Sequence, residues 1–237
     1  MEPSSSLGTL FDAATPAISD RRILGLDEAG RGSVLGPLVV GGFLIDESRL
    51  PALAAIGVKD SKLLTPQGRN EVFSGLAAIG ERVHVKIPPR TVDRWVARNG
   101  LNELEAQAFG RLVRWTRPDV TYVDACDPVA WRFGGRVRRW ARTDRPIVAQ
   151  HHADRDLLVV GAASVVAKVH RDRAIASLAR RLGQEIGTGY PCDARTIAHV
   201  RSVLADGAAP EWVRHSWVTT ERLKPKLAAL ALDAFPV

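Results

Sequence analysis

The sequence has only two cysteines, Cys126 and Cys192, among 237 residues. That excludes a disulfide framework and a cysteine-rich zinc module. No apolar run reaches the roughly 20 residues that a membrane-spanning helix needs. The opening stretch MEPSSSLGTLFDAATPAISD lacks the basic start and long apolar core of a secretory signal. It reads as a loose leader over residues 1–20, and the expected location is cytoplasmic, with no membrane partner. There is no internal repeat and no long low-complexity linker. The six histidines show no HExxH-type spacing. The glycine-rich stretch near residue 30 lacks the Walker lysine and does not match the dinucleotide fingerprint.

What is present bounds the rest. A chain of this length with 46% hydrophobic residues can build a full core, in one domain or one domain with a small appendage. Lys+Arg 33 against Asp+Glu 26 gives a formal charge of +7. Such a surplus fits either basic solvent faces or a polyanionic partner drawn to clustered Lys and Arg.

The hydrophobic pattern predicts strands over 22–27, 38–45, 83–87, 120–123 and 146–149. Helices are predicted from Thr65-Pro66, where Thr is the N-cap and Pro opens the first turn, and over 101–115. Further helices are predicted from Pro128 to about Ala141, over 156–182, and in the segment after Gly187. Strands cluster first and then alternate with helices, so the fold class is α/β, a sheet with helices on its faces and a helical C-terminal region.

Four acids fall where strands end or helices start: Asp27, Glu28, Asp124 and Asp154. Ligands of open α/β sheets collect at strand ends. Carboxylates gathered there repel one another unless a hard, oxygen-loving cation such as magnesium lies between them. Each has a plainer alternative: Asp124 as the start of a turn into Pro128, Asp154 as the N-cap of the next helix. Because neighbours in a strand point to opposite faces, Asp27 and Glu28 are expected where the strand is ending, with Gly30 releasing the chain. Gly30, Gly32 and Gly36-Pro37 allow close backbone approach to a ligand, or simply a tight connection. Lys59-Asp60-Ser61-Lys62 is either a phosphate contact or a solvated loop. Ser164, Lys168 and Arg171 share one helical face, either solvated or facing a nucleic-acid backbone. Arg132, Arg136, Arg138, Arg139, Arg142 and Arg145 form the densest basic run and are candidate phosphate contacts. The interleaved Trp131 and Trp140 read as core. His151-His152 precedes Asp154 in a supporting or surface role.

The stretch GLDEAGRGSVLGPLVV resembles the opening signature of the ribonuclease HII family. The resemblance continues through KDSKLLT, YVDA, HHADRDLLVVGAASVVAKVHRDR, GTGYPCDARTI and PEWVRHSW, in family order over about residues 22–220. It points to the archaeal and eukaryotic branch. The sister family ribonuclease HIII carries an extra N-terminal domain, which is not expected here because only about twenty residues stand before the first strand. The resemblance implies a ribonuclease H-like fold, with a catalytic domain over 21–185 and a helical region over 186–237 that completes the substrate cleft. It implies a monomer that hydrolyses the RNA strand of an RNA–DNA hybrid and cuts at ribonucleotides embedded in duplex DNA, leaving 5′-phosphate and 3′-hydroxyl ends. It also implies that Asp27, Glu28, Asp124 and Asp154 hold two Mg2+ or Mn2+ ions, with Asp27 between them. Gly30-Arg31-Gly32 would sense the ribose 2′-hydroxyl, Tyr190 would stack on the sugar, and Lys62 would lie near the scissile phosphate. A non-catalytic hybrid-binding module, or another ribonuclease H-like nuclease, is the alternative. Asp156 and Leu157 stand where relatives often carry a lysine and an aromatic, and Cys192 where they carry a serine. The terminal LALDAFPV resembles a sliding-clamp peptide without its glutamine and paired aromatics, which leaves a sliding clamp as a candidate partner.

Overall fold

In the computed structural model, the described residues are 20–58, 64–205 and 207–225. The leader (but for residue 20), the Lys59–Lys62 cluster with Lys62, and the terminal LALDAFPV lie outside them. Five strands form one mixed sheet in the order β3-β2-β1-β4-β5. These are β1 (Arg22–Ala29), β2 (Leu38–Asp46), β3 (Glu81–Ile87), β4 (Val120–Asp124) and β5 (Ile147–Gln150). The first three run antiparallel; β4 and β5 run parallel to β1.

Helices cover both faces. On one lie α1 (Leu50–Ala55), α2 (Pro66–Leu76), the short α6 (Ala153–Asp156) and the long α7 (Leu158–Leu182). On the other lie α3 (Pro89–Val96), α4 (Leu101–Thr116) and α5 (Ala130–Ala141). The alternation of β1 feeds both cores: Ile23 faces α7, whereas Leu24 and Leu26 face α4 and α5. Glycine lets α7 lie directly on the sheet. A Cβ at Gly25 would stand 2.1 Å from the Val159 carbonyl oxygen, and one at Gly41 2.5 Å from that of Ala163. The chain then continues through α8 (Ala194–Ala205) and α9 (Val218–Leu223). This region shares a third core with the loop after β1: Val34 and Leu35 pack with Ile175, Ile186, Val200 and Val213.

Several elements depart from the sequence expectation. The Thr65 cap is as expected, its hydroxyl accepting the Gly68 N–H at 3.2 Å. Helices α1 and α3 were not legible; the second begins at Pro88-Pro89, which suits a first helical turn as well as it ends a strand. Helix α5 starts at Ala130, because Asp127 first turns the chain by accepting the Val129 N–H at 2.9 Å. The helix predicted over 156–182 is α7, beginning at Leu158, and Asp154 lies inside the separate short α6 before it rather than capping it. Strand β1 does not end at Asp27-Glu28: it pairs with β2 as far as Ala29. The stripe Ser164, Lys168, Arg171 is not a solvated face. Ser164 and Arg171 are buried and Lys168 is half-buried, because the first turns of α7 are covered on every side. Trp131 is 79% exposed and is not core.

Candidate metal and nucleic-acid site

The two acids of β1 obey its alternation. Asp27 shares the α7 face with Ile23 and Gly25; Glu28 shares the opposite face with Leu24 and Leu26. Pairing of β1 with β4 stops at Leu26 and Val123, so Asp27 and Asp124 are the next residue of each strand. Asp124 lies on the α7 face, in phase with Val120 and Tyr122. It accepts the Ala153 N–H at 2.9 Å, which fixes α6 against the sheet and brings Asp154 up beside it. The residue before α6, His152, is held left-handed at φ 59°.

Oxygens of Asp27, Asp124 and Asp154 lie within 4.8 Å of one another. Burial pushes the Asp27 carboxyl well above the usual carboxylate range; Ser164 pulls it back, and the charges of Asp124 and Asp154 push it further up. Such a cluster is costly as bare anions and is relieved by a cation. An all-carboxylate donor set suits Mg2+ or Mn2+, and these residues fit such an ion. Ser164 is fully buried against this group, its hydroxyl outside regular hydrogen-bond geometry.

Glu28 is held apart from that trio. Its carboxyl is also raised, by burial and then by the charge of Asp27, while Arg31 lowers it. Its Oε2 is buried without a hydrogen-bond partner among the described residues. On this side lies a group that sequence reasoning missed. Glu105 of α4, wholly buried, pairs with Arg31 and accepts the Cys126 thiol at 3.0 Å. Asn102 accepts from Arg31 at 2.7 Å and donates to Asp127 at 3.0 Å. Asp127 in turn takes Arg132 at 2.5 Å and Arg136 at 2.8 Å. Two arginines of the basic run are therefore structural. The available signal was an acid inside an apolar helical stripe, Leu104-Glu105-Ala106.

The Gly30-Arg31-Gly32 turn is fixed from the C-terminal side. Gly30, left-handed at φ 85°, donates its N–H to the Tyr190 hydroxyl at 3.1 Å, and its carbonyl accepts from Ser33 Oγ at 2.9 Å. Gly189 O accepts the Val34 and Leu35 N–H groups at 2.8 and 3.1 Å. The buried Arg171 guanidinium stacks on the Tyr190 ring, 4.2 Å from its centroid. Arg214, fully buried, donates to Arg31 O at 2.8 Å and to Gly36 O at 3.3 Å. Burial, then the charge of Arg171, lowers its pKa to about 9. Lys168 lies on the helical face between Ser164 and Arg171. His151 is exposed and its Nδ1 meets Ala125 O at 3.2 Å. Asp156 is engaged by Arg155 at 2.8 Å, and Cys192 is exposed.

The family model for Ribonuclease HII matches residues 24–220. A Ribonuclease HII of Methanocella arvoryzae is 40% identical over 200 residues, covering 84% of this chain and 89% of the relative. The ribonuclease H2 of Pyrococcus horikoshii superimposes with a TM-score of 0.79 at 38% identity, covering 86% of this chain and 97% of that one. The RNase HII of Archaeoglobus fulgidus, solved in complex with PCNA, gives 0.78 at 33% identity, covering 90% and 100%. Among the described residues no helix is long and apolar enough to cross a membrane. A carboxylate trio from β1, β4 and α6, on a mixed sheet shared with these relatives, leads to one conclusion: this chain belongs to the ribonuclease HII family and is a metal-dependent ribonuclease H.

Proposed function

We propose that this enzyme hydrolyses the RNA strand of RNA–DNA hybrids and cuts 5′ of ribonucleotides embedded in duplex DNA, leaving 5′-phosphate and 3′-hydroxyl ends. The observation that carries this reading is the adjacency of the Asp27-Asp124-Asp154 cluster to a glycine turn pinned by Tyr190. Asp27, Asp124 and Asp154 would hold divalent cations, with Glu28 as a further candidate ligand. Two such ions would supply an activated water and charge stabilisation at the leaving 3′-oxygen of an in-line displacement.

The chain's own residues supply selection. Gly30 N–H, Gly30 O and Arg31 O are occupied internally. That leaves the Arg31 and Gly32 N–H groups and the Gly32 carbonyl, without internal partners among the described residues, to meet a ribose 2′-hydroxyl. That hydroxyl is the group that separates RNA from DNA at one nucleotide. Around Gly32 a Cβ would meet nothing within 4 Å, so the substrate has room there. The Tyr190 ring is proposed to stack on the neighbouring sugar, and Ser164 and Lys168 to support the strand that is cut. Residues 21–185 would act as the catalytic domain and 186–237 as the region completing the cleft, in a monomer. A PCNA-type clamp, as bound by the Archaeoglobus fulgidus relative, is a candidate partner for LALDAFPV.

The test is cleavage of duplex DNA carrying one ribonucleotide, beside an all-DNA control, with Mg2+ or Mn2+. Selective incision at the ribonucleotide is expected. No incision, or equal incision of both, would overturn the proposal.

A further inference from the structure

Away from the carboxylates, a groove of about 970 Å³ runs between the β3–α3 corner, α4 and the end of α5. Among the described residues no carboxylate lines it, whereas Lys86, Arg111, Arg114, Arg117, Arg142 and Arg145 do, all of them exposed. Only Arg145 of these has an acidic partner among the described residues, Asp119 at the rim. Asp144 is the other acid near that rim and is likewise exposed. The groove is therefore strongly cationic.

Three further features suit a particular ligand. Trp115 is 66% exposed within the groove, an unusual position for so large an apolar ring. Arg117 and Arg142 end α4 and α5 in the left-handed conformation, at φ 49° and 51°, where glycine is the usual residue. Both therefore offer an arginine at one end of the groove. Finally, the groove shares Lys86 and Pro88 with a second cleft of about 420 Å³. That cleft carries Arg90, Arg173 and Arg181 and reaches Gly36-Pro37, behind the glycine turn.

We propose that the α4–α5 groove binds single-stranded nucleic acid, an unpaired tail, with arginines on phosphates and a base stacked on Trp115. Cationic grooves with stacking rings bind single strands in this way. A duplex keeps its bases stacked on one another and offers Trp115 a free face only at its ends. An acidic peptide would match the charge but leave the ring unused. The track past Lys86 lets a tail of a molecule held at the glycine turn enter the groove.

The test uses the intact protein, metal-free, and the fluorescence anisotropy of a labelled oligothymidylate over a range of salt. The variants are Arg111→Glu/Arg114→Glu and, separately, Trp115→Ala. The charge-reversed variant is expected to lose at least about tenfold in affinity, and its salt slope about 0.7 for each phosphate contact removed. Trp115→Ala is expected to lose affinity at an unchanged salt slope. Cleavage of a short blunt duplex with one embedded ribonucleotide stays at the wild-type level in both, which separates this proposal from the cleavage reading. Wild-type affinity in both variants, or binding of polyglutamate but not oligothymidylate, would overturn it.

Discussion

The hydroxyl of Tyr190 ties the C-terminal region to the Gly30 N–H of the glycine turn. Tyr190→Phe removes that oxygen and leaves the aromatic ring, with its stacking on Arg171, in place. The Gly30 N–H is buried, so it loses its acceptor without gaining water. A buried donor left unpaired costs about 1–3 kcal/mol. Ser33 and the Arg214 hydrogen bonds still hold the turn, which favours the lower half of that range. We therefore expect a stability loss of about 1–2 kcal/mol in urea unfolding. A similar loss is expected in kcat/KM on a single-ribonucleotide duplex, since the turn must be in place to read the sugar. That is about a 5- to 30-fold fall, each 1.4 kcal/mol being tenfold. Tyr190→Ala, which also removes the ring, should fall further. Should Tyr190→Phe match the wild type in both measurements, the hydroxyl does not position the turn and the reasoning fails.

Other outcomes follow from the packing. Gly41→Ala drives a methyl against α7 backbone atoms 2.5 Å away and should cost about 3 kcal/mol or more in urea unfolding. Gly135→Ala, mid-helix in open space, should instead stabilise by up to about 1 kcal/mol. The pH response of His170 has a defined sign. Burial and then the stacked His84, with Lys86, Arg173 and Arg82 nearby, lower its pKa to about 4. Its contribution to stability is therefore full above the ordinary histidine pKa and is lost as pH falls toward 4. Thermal unfolding from pH 7 down to pH 4.5 should fall more steeply for the wild type than for His170→Phe; parallel curves would refute this.

Four strands were legible as short apolar runs bounded by glycine, proline or an acid, and β3 by its alternation up to Pro88-Pro89. Asp27 and Asp124 stood out because an acid at the end of such a run has few structural uses, and Asp154 because it stands at a helix start. Helix α3 was hidden by Pro88-Pro89, which ends a strand and opens a helix with the same residues. The Ser164-Lys168-Arg171 face misled because α7 is buried by the sheet on one side and by the Tyr190 segment on the other, a tertiary fact that periodicity does not carry. The Asp27-Glu28 puzzle resolved differently from expectation. The strand does not stop to let both acids face one way; it continues and sends them to opposite faces. Arg31-Glu105 and Arg214 were invisible because their partners are 74 and 183 residues away in sequence. The basic run split: Arg132 and Arg136 serve Asp127, whereas Arg142 and Arg145 open onto the α4–α5 groove.

The central claim is that Asp27 holds the metal on which cleavage depends. Asp27→Asn keeps the size of the side chain and removes one charge from a crowded, buried cluster. Cleavage of a single-ribonucleotide duplex and binding of the same duplex, measured side by side in Mg2+, test it most directly. Cleavage is expected to be abolished while binding stays at the wild-type level. Near-wild-type turnover by Asp27→Asn would contradict it.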